Sequence, residues 1–447
     1  MSRATLSSVA LLDLLLAAAS RAGADAADAL LVDQRSLSVR QRLGKLEEVA
    51  RAESAEIGLR VFVGQSAAIV STSERDPKSF ATLAERAIAM ARAVPPDSFA
   101  GLAEREAAGP FPDLDLDDPV EPDVATLAAR AAAAEDAARA VKGITNTEEA
   151  EAGWSRTGIA LATTGGFAAH TVRSYHSCYV TALAGQGTGM QRDYEYSGAT
   201  HAADLMPPEE IGRRAGTQAV ARLDPRRLAS ARMPVVYAPR VASSLVGHFS
   251  GAVNGASVAR GTSFLKDRMG EMLFAPDVSI HDDPLRPRGS RSRPFDGEGV
   301  AGGPLALVQD GRLASWLLDS RSARQLGLAS TGHAARGTSG PPSPSATNLW
   351  LAAGSRSPAA LMADIAEGFY VTELIGMGVN QVTGDYSRGA AGFAIRNGQL
   401  AEPVAGVTIA GQLVAMFKAL TPASDLEFRR GTDAPTVRID AITVAGG

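Results

Sequence analysis

The sequence contains few of the residues from which proteins build disulfides and metal sites. Its 447 residues include one cysteine, Cys178, and six histidines. A single cysteine excludes an intramolecular disulfide and is typical of a reducing compartment, so we expect a cytoplasmic protein. No uncharged apolar run reaches the length of about 18 residues that a membrane-spanning helix needs. We therefore expect no membrane partner.

An excess of positive charge is also lacking. The chain has 44 lysines and arginines against 49 aspartates and glutamates, which gives a net charge of −5. Proteins that bind nucleic acids usually present a clustered basic surface to the phosphates. The charge balance therefore argues against a nucleic-acid partner.

The N-terminal part of the chain has the pattern of a helix followed by an antiparallel sheet and a second helix. Leucines recur at helical spacing in residues 9–20, and Asp13 interrupts this apolar stretch, so a helix is favoured over a signal peptide. Two strand patterns flank Gly64-Gln65, which predicts a hairpin. Pro77 then opens a helix, because proline is well tolerated in the first helical turn.

Composition divides the chain into four parts, and the length agrees with two or three domains. Residues 1–94 form the N-terminal α+β domain, and residues 95–122 are an acidic, proline-rich linker that we expect to be solvated. Residues 123–230 form a middle α+β region that packs with the N-terminal domain. Residues 231–447 are rich in glycine and strand patterns and form a β-rich C-terminal domain.

Two hairpin signals mark the C-terminal domain. Asp310-Gly311 and Asn397-Gly398 each lie between strand-like runs, and these dipeptides favour the tight turns of antiparallel hairpins. The fold class is therefore α+β, with an N-terminal helix-plus-antiparallel-sheet region followed by a β-rich C-terminal domain.

The histidines do not form a recognisable metal site. A zinc hydrolase needs two histidines about a helical turn apart and a general base, as in HExxH. His248 lies in the helix predicted after Val241, and no carboxylate or second histidine stands within five residues of it. His176 and Cys178 share one face of a strand, but no further ligand is nearby. His281-Asp282-Asp283 could bind a hard cation, although a polar loop is favoured.

Nucleophile and phosphate motifs are also absent. No GxSxG elbow occurs, and the glycine runs 185–189 and 376–378 lack the Lys-Ser/Thr of a nucleotide-binding loop. The basic stretch 286–294 could attract acidic peptides, but a solvated, mobile loop is favoured.

Several segments together resemble the TldD/PmbA family, also called modulators of DNA gyrase, and are most similar to its PmbA (TldE) branch. They are SLSVRQRLGKLEEV (36–49), RGTSFLKDRMGE (260–271), RPFDGEGV (293–300), DSRSARQLGLASTGHAAR (319–336), PSATNLWLAAG (344–354) and ELIGMGVNQVTGDYSRGAAGFAIRNGQ (373–399). The resemblance implies a heterodimer with a TldD-like subunit. It also implies a zinc peptidase acting on flexible peptides such as leader peptides and antitoxins.

The chain departs from the family's zinc-binding pattern. The TldD subunit holds its metal through an HExxxH helix and a later cysteine. Residues 243–253 take the place of that helix and supply only His248, and no cysteine stands near Gly389, where the later ligand should fall. The resemblance therefore implies a non-catalytic subunit with no catalytic, cofactor-binding or metal-binding residue of its own, and zinc in the TldD-like partner.

Four residues remain candidates for peptide contact or for a vestigial site: His248, Gly376, Gly378 and Gly389. Glycines permit close approach of a peptide backbone, and an exposed sheet edge can accept a peptide as an added strand. Two other interpretations stay open. The chain could be a homodimeric peptide-binding or chaperone-like module, or a hydrolase that is active alone through an unrecognised site.

Overall fold

The structure is a computed structural model that describes residues 7–104, 107 and 109–446. Strands β1 to β6 form one antiparallel sheet in the order β3-β2-β1-β4-β5-β6. They span Ala26–Arg42, Lys45–Val63, Ser66–Thr72, Ile144–Thr163, Ala168–Ala184 and Gln191–Ala199. The N-terminal and middle stretches therefore contribute three strands each to a single sheet. Their division into domains remains a prediction.

Four helices cover one face of this sheet. They are α1 (Ser8–Arg21), α2 (Phe80–Ala93), α3 (Val124–Arg139) and α4 (Pro208–Ala221). The predicted first helix is confirmed: Ser7 caps it, and Leu12 and Leu15 are fully buried between α2 and the sheet. The predicted hairpin is confirmed too, since Gly64-Gln65 joins β2 to β3. Pro77 opens a short 3-10 turn that leads into α2.

The remaining chain contains strands β7 to β19 and helices α5 to α9. The strands span Ala231–Tyr237, Ile280–Asp282, Leu305–Gln309, Arg312–Leu313, Ala334–Ala335, Ser343–Pro344, Leu349–Leu351, Glu367–Ile375, Asp385–Arg396, Gln399–Gln412, Leu420–Pro422, Thr432–Asp433 and Val437–Ala445. The helices span Pro239–Ala252, Gly255–Ala259, Ser320–Leu326, Pro358–Met362 and Leu413–Lys418. Both predicted hairpins are confirmed: β9 pairs with β10, and β15 pairs with β16.

The larger C-terminal sheet closes on itself. Its order is β16-β15-β14-β7-β19-β17, and β19 also pairs with β16. A second sheet has the order β10-β9-β8-β13-β18. Helix α5 belongs to the largest hydrophobic core, where Phe249 packs edge-on against Phe274 and Phe417. The α+β class and the β-rich C-terminal part are thus confirmed.

Two segments are less solvated than their sequences indicate. In the acidic segment 95–122, Leu114 and Leu116 are buried, and the Leu116 carbonyl accepts a hydrogen bond from the Ser174 amide. The prediction of a solvated, mobile loop at 286–294 is wrong. Arg288 pairs with Asp115 and Asp204, and the loop's carbonyls accept hydrogen bonds from Arg173. The Arg288–Asp115 ion pair joins the two charged segments to each other.

The two halves of the chain also meet through buried charges. Asp28 on β1 accepts hydrogen bonds from Arg60 on β2 and from Arg336, which follows β11. Arg60 lies 3.7 Å from a carboxylate oxygen of Glu298. These four side chains are almost completely excluded from water. The contact is therefore a fixed part of the fold.

The helices of the described residues offer no candidate for a membrane span, since none combines the necessary length and apolar character.

Candidate functional site

His248 lies on the flank of α5. The apolar residues Val241, Leu245 and Phe249 face the core. This orientation of the helix places the half-buried imidazole of His248 at the edge of that core. The ring stands edge-on to Tyr386 of β15, with 6.0 Å between the ring centres. Its Nε2 atom is buried and has no hydrogen-bond partner among the described residues. The imidazole is thus held by packing alone.

The surroundings of His248 favour the neutral ring. Burial, and then the positive charge of Arg388, lower the pKa of His248 to about 4. Burial also raises the pKa of the neighbouring Tyr386 to about 12, so this phenol stays protonated. At neutral pH the site therefore has a neutral imidazole, a neutral phenol and one guanidinium.

The β14–β15 hairpin brings the three candidate glycines to the side of this site. Gly389 pairs with Ile375 across the hairpin, and Gly376 and Gly378 follow directly in the turn. Tyr386, which contacts the His248 ring, and Arg388, whose charge lowers the pKa of His248, are on the same hairpin. The structure thus brings all four candidates to one region. Sequence reasoning missed Tyr386 and Arg388, although their two-residue spacing in β15 is the signal that places them on one face.

The glycines differ in what a side chain would meet. Gly376 has a φ of +81° and open space around it. At Gly378 a Cβ atom would stand 2.1 Å from the carbonyl oxygen of Ser387. The Ser387 amide also donates a hydrogen bond of 2.7 Å to the Gly378 carbonyl. Gly378 is therefore required by the packing of the hairpin, and a peptide-contact role for it stays a prediction.

We expect Gly378→Ala to lower the free energy of unfolding by about 2–3 kcal/mol, because the turn must move away from Ser387. Gly376→Ala should lower the free energy of unfolding by only about 1 kcal/mol, which is the penalty for placing a residue with a Cβ in the left-handed backbone conformation. Gly303→Ala is the matched control, since the Cβ would meet open space there. Urea denaturation of the three variants measures the differences. Equal effects of Gly378→Ala and Gly303→Ala would contradict this packing.

The other predicted ligand residues lie apart from His248. His176 is buried on β5 with its Nε2 3.2 Å from Asp118, and burial raises the pKa of the Cys178 thiol to about 12. The polar loop favoured for His281–Asp283 is wrong. Asp282 ends strand β8, where it is buried and accepts hydrogen bonds from His333 and Thr347.

This architecture defines a class of protein. A helix-covered antiparallel sheet precedes a closed β domain, and α5 packs inside that domain beside a glycine-rich hairpin. Family models for the PmbA/TldA metallopeptidase match in three consecutive parts: domain 1 at residues 27–91, the central domain at 110–223 and the C-terminal domain at 230–446. The chain belongs to the PmbA/TldD metallopeptidase family, as the sequence segments indicated.

Relatives in this family match along nearly the whole chain. The metalloprotease PmbA of Escherichia coli O157:H7 is 36% identical over 94% of this chain and 92% of its own length. The metalloprotease PmbA homolog of Haemophilus influenzae is 33% identical over 96% of this chain and 94% of its own.

Solved structures share the fold. A putative modulator of DNA gyrase from Bacteroides thetaiotaomicron has a TM-score of 0.89, with 24% identity and 98% of each chain covered. TldE from Thermococcus kodakarensis has a TM-score of 0.86, with 18% identity over 98% of this chain and 100% of its own.

The family name implies a metal, so the donor set of this chain has to be compared with a zinc site. Helix α5 offers one imidazole and no carboxylate or thiolate. Across residues 7–104, 107 and 109–446, no group of three or more His, Cys, Asp and Glu side chains is arranged to hold a metal ion. A structural or catalytic zinc needs three or four such ligands. The residues around His248 do not fit that requirement.

Proposed function

We propose that this chain is the PmbA/TldE-like, non-catalytic subunit of a zinc peptidase whose TldD-like partner holds the metal. The complex acts in the cytoplasm on flexible peptides, such as leader peptides and antitoxin-like substrates. The single observation that carries the proposal is the donor set of α5, which has one neutral imidazole where a zinc peptidase needs several ligands.

The end of the β14–β15 hairpin supports a partner. Ile375, Met377 and Val382 are all exposed there, and Met377 is 89% exposed. Exposed apolar side chains grouped in this way mark surfaces that bind other proteins. We place the contact with the TldD-like subunit at this end of the hairpin, next to His248.

Metal analysis and peptide cleavage test the proposal together. We expect the purified chain to contain no stoichiometric zinc and to cleave no flexible peptide. A mixture with the TldD-like protein of the same organism should contain zinc and cleave the peptide, and a chelator should abolish that cleavage. The physical reason is that the ligands which this chain lacks have to come from the partner.

His248→Ala is the matched control variant, since the proposal gives this imidazole no metal. The zinc content of the mixture should not change with it. Stoichiometric zinc in the isolated chain, reduced by His248→Ala or Cys178→Ala, would overturn the proposal and favour a hydrolase that is active alone. Peptide binding by a homodimer, with no cleavage after mixing, would instead favour the chaperone-like alternative.

A further inference from the structure

A cavity of about 500 Å³ lies between the two halves of the chain, beside the first turns of α5. Its walls come from β6, the end of α4, the start of α5, and the strands β14 and β15. The charged side chains in these walls are Arg192, Asp193, Arg222, Arg240, Glu373 and Arg388. Four cations thus face two carboxylates, and the excess is positive.

Both carboxylates already form ion pairs with arginines of the cavity. Asp193 is 3% exposed, and its oxygens lie 2.6 Å from Arg240 and 3.3 Å from Arg222. Glu373 pairs with Arg222 as well. Arg240 also donates to the Thr372 carbonyl at 2.7 Å. Arg222 and Arg240 are therefore neutralised and fixed in place.

Arg388 and Arg192 carry the remaining charge. Arg388 donates from Nε to the Ile375 carbonyl at 3.4 Å, and within the described part of the chain it makes no ion pair. Arg192 pairs with Glu148 at 3.2 Å, but both side chains are well exposed, so water screens this pair. The positive end of the α5 dipole lies in the same wall and adds to the attraction for an anion.

We propose that this cavity binds a carboxylate of a peptide, with Arg388 as the principal contact. The inference rests on the proposed function for its ligand class. A guanidinium presents a planar fork of donors that matches a carboxylate, and the cavity is large enough for more than a bare ion. The carboxylate is either the C-terminal group of the peptide or an acidic side chain.

The test is fluorescence anisotropy with a short labelled peptide of Gly, Ser and Ala and the full-length chain, alone and with metal-free TldD-like partner. Three peptides are compared: the free acid, its C-terminal amide, and the amide with one internal glutamate. We expect the free acid to bind at least about tenfold more tightly than the plain amide, the range expected for a hydrogen-bonded charged group. Tight binding of the glutamate peptide assigns the cavity to acidic side chains instead, and the inference still holds.

Variants of Arg388 test whether this residue causes the preference for a carboxylate. Arg388→Gln should remove the preference for a carboxylate, and Arg388→Lys should retain part of it because the charge remains. Arg396→Gln is the matched control, because Arg396 is on the same strand and pairs outside the cavity with Glu367 and Glu402. Equal binding of all three peptides, no binding of any, or an unchanged preference in Arg388→Gln would overturn the inference.

Cleavage by the zinc-loaded mixture is recorded separately, so the two proposals fail in different ways. If the mixture cleaves peptides but shows no preference for a carboxylate, the proposed subunit role stands and the proposed carboxylate site is wrong. If the chain binds carboxylates through Arg388 but the mixture never cleaves a peptide, the carboxylate site stands and the proposed subunit role is wrong.

Discussion

Replacing Asp28 with alanine is expected to lower the free energy of unfolding by about 3–5 kcal/mol, because the change leaves the buried Arg336 guanidinium without its counterion and leaves Arg60 with only the more distant Glu298. The Asp28 carboxylate accepts hydrogen bonds from Arg60 at 2.7 Å and from Arg336 at 2.5 Å. Burial opposes the ionisation of Asp28, but Arg336 and Arg60 outweigh it and hold the pKa of the carboxyl below its usual range. Urea denaturation, followed by the fluorescence of the tryptophans, measures the loss.

Asp117→Ala is the matched control for this variant. Asp117 makes a hydrogen-bonded ion pair with Arg156 at 2.7 Å, but both side chains are partly exposed. Exposed pairs of this kind contribute about 1 kcal/mol or less. If Asp28→Ala were no more destabilising than Asp117→Ala, the charge cluster between the two halves would not be buried as the structure has it.

The Asp28 cluster combines a contact between neighbouring strands with a contact between distant parts of the chain. The pairing of Asp28 with Arg60 follows from the register of β1 and β2, which are joined by a tight turn. Arg336 comes from the other end of the chain, 308 residues from Asp28. No local pattern indicates that contact, since it depends on how the two halves pack.

The same distinction between local and distant contacts explains which of the other predictions are confirmed and which are wrong. The turns at Gly64, Asp310 and Asn397 were predictable because their dipeptides favour hairpins wherever they occur. The basic loop 286–294 was misjudged because its counterion Asp115 is 173 residues away from Arg288. Charged stretches resemble solvated loops until a partner of opposite charge is known.

The sequence predicts where the candidate site lies in the chain but not what surrounds it in the fold. The sequence identified His248 and the absence of ligands around it, since both are local facts. It did not reveal the cavity at the start of α5. The cavity forms because β6 of the N-terminal sheet lies beside β14 and β15 of the larger C-terminal sheet. Its charge balance depends on which arginines already have partners.

His248 should make the stability of the protein depend on pH. Burial and Arg388 lower the pKa of the folded ring to about 4, whereas the pKa of a histidine in the unfolded chain lies near its ordinary value of 6.5. Between these values the unfolded chain binds a proton that the folded chain does not. The free energy of unfolding therefore falls as the pH decreases through this window, and the contribution is constant above about pH 7.5.

The size of this effect follows from the shift, and two substitutions isolate it. A shift from 6.5 to about 4 sets an upper limit of about 3 kcal/mol, and partial access of water to the ring reduces it to about 2 kcal/mol. We expect the stability of the parent, measured relative to His248→Phe, to fall by that amount between about pH 7 and pH 4. The stability of the parent relative to His248→Gln should depend on pH in the same way, because both variants remove the titrating group. The two variants should differ from each other in stability at neutral pH, because their side chains pack differently. A difference that stays constant with pH in both comparisons would mean that the imidazole is solvated, and the desolvated site beside Tyr386 and Arg388 would then be wrong.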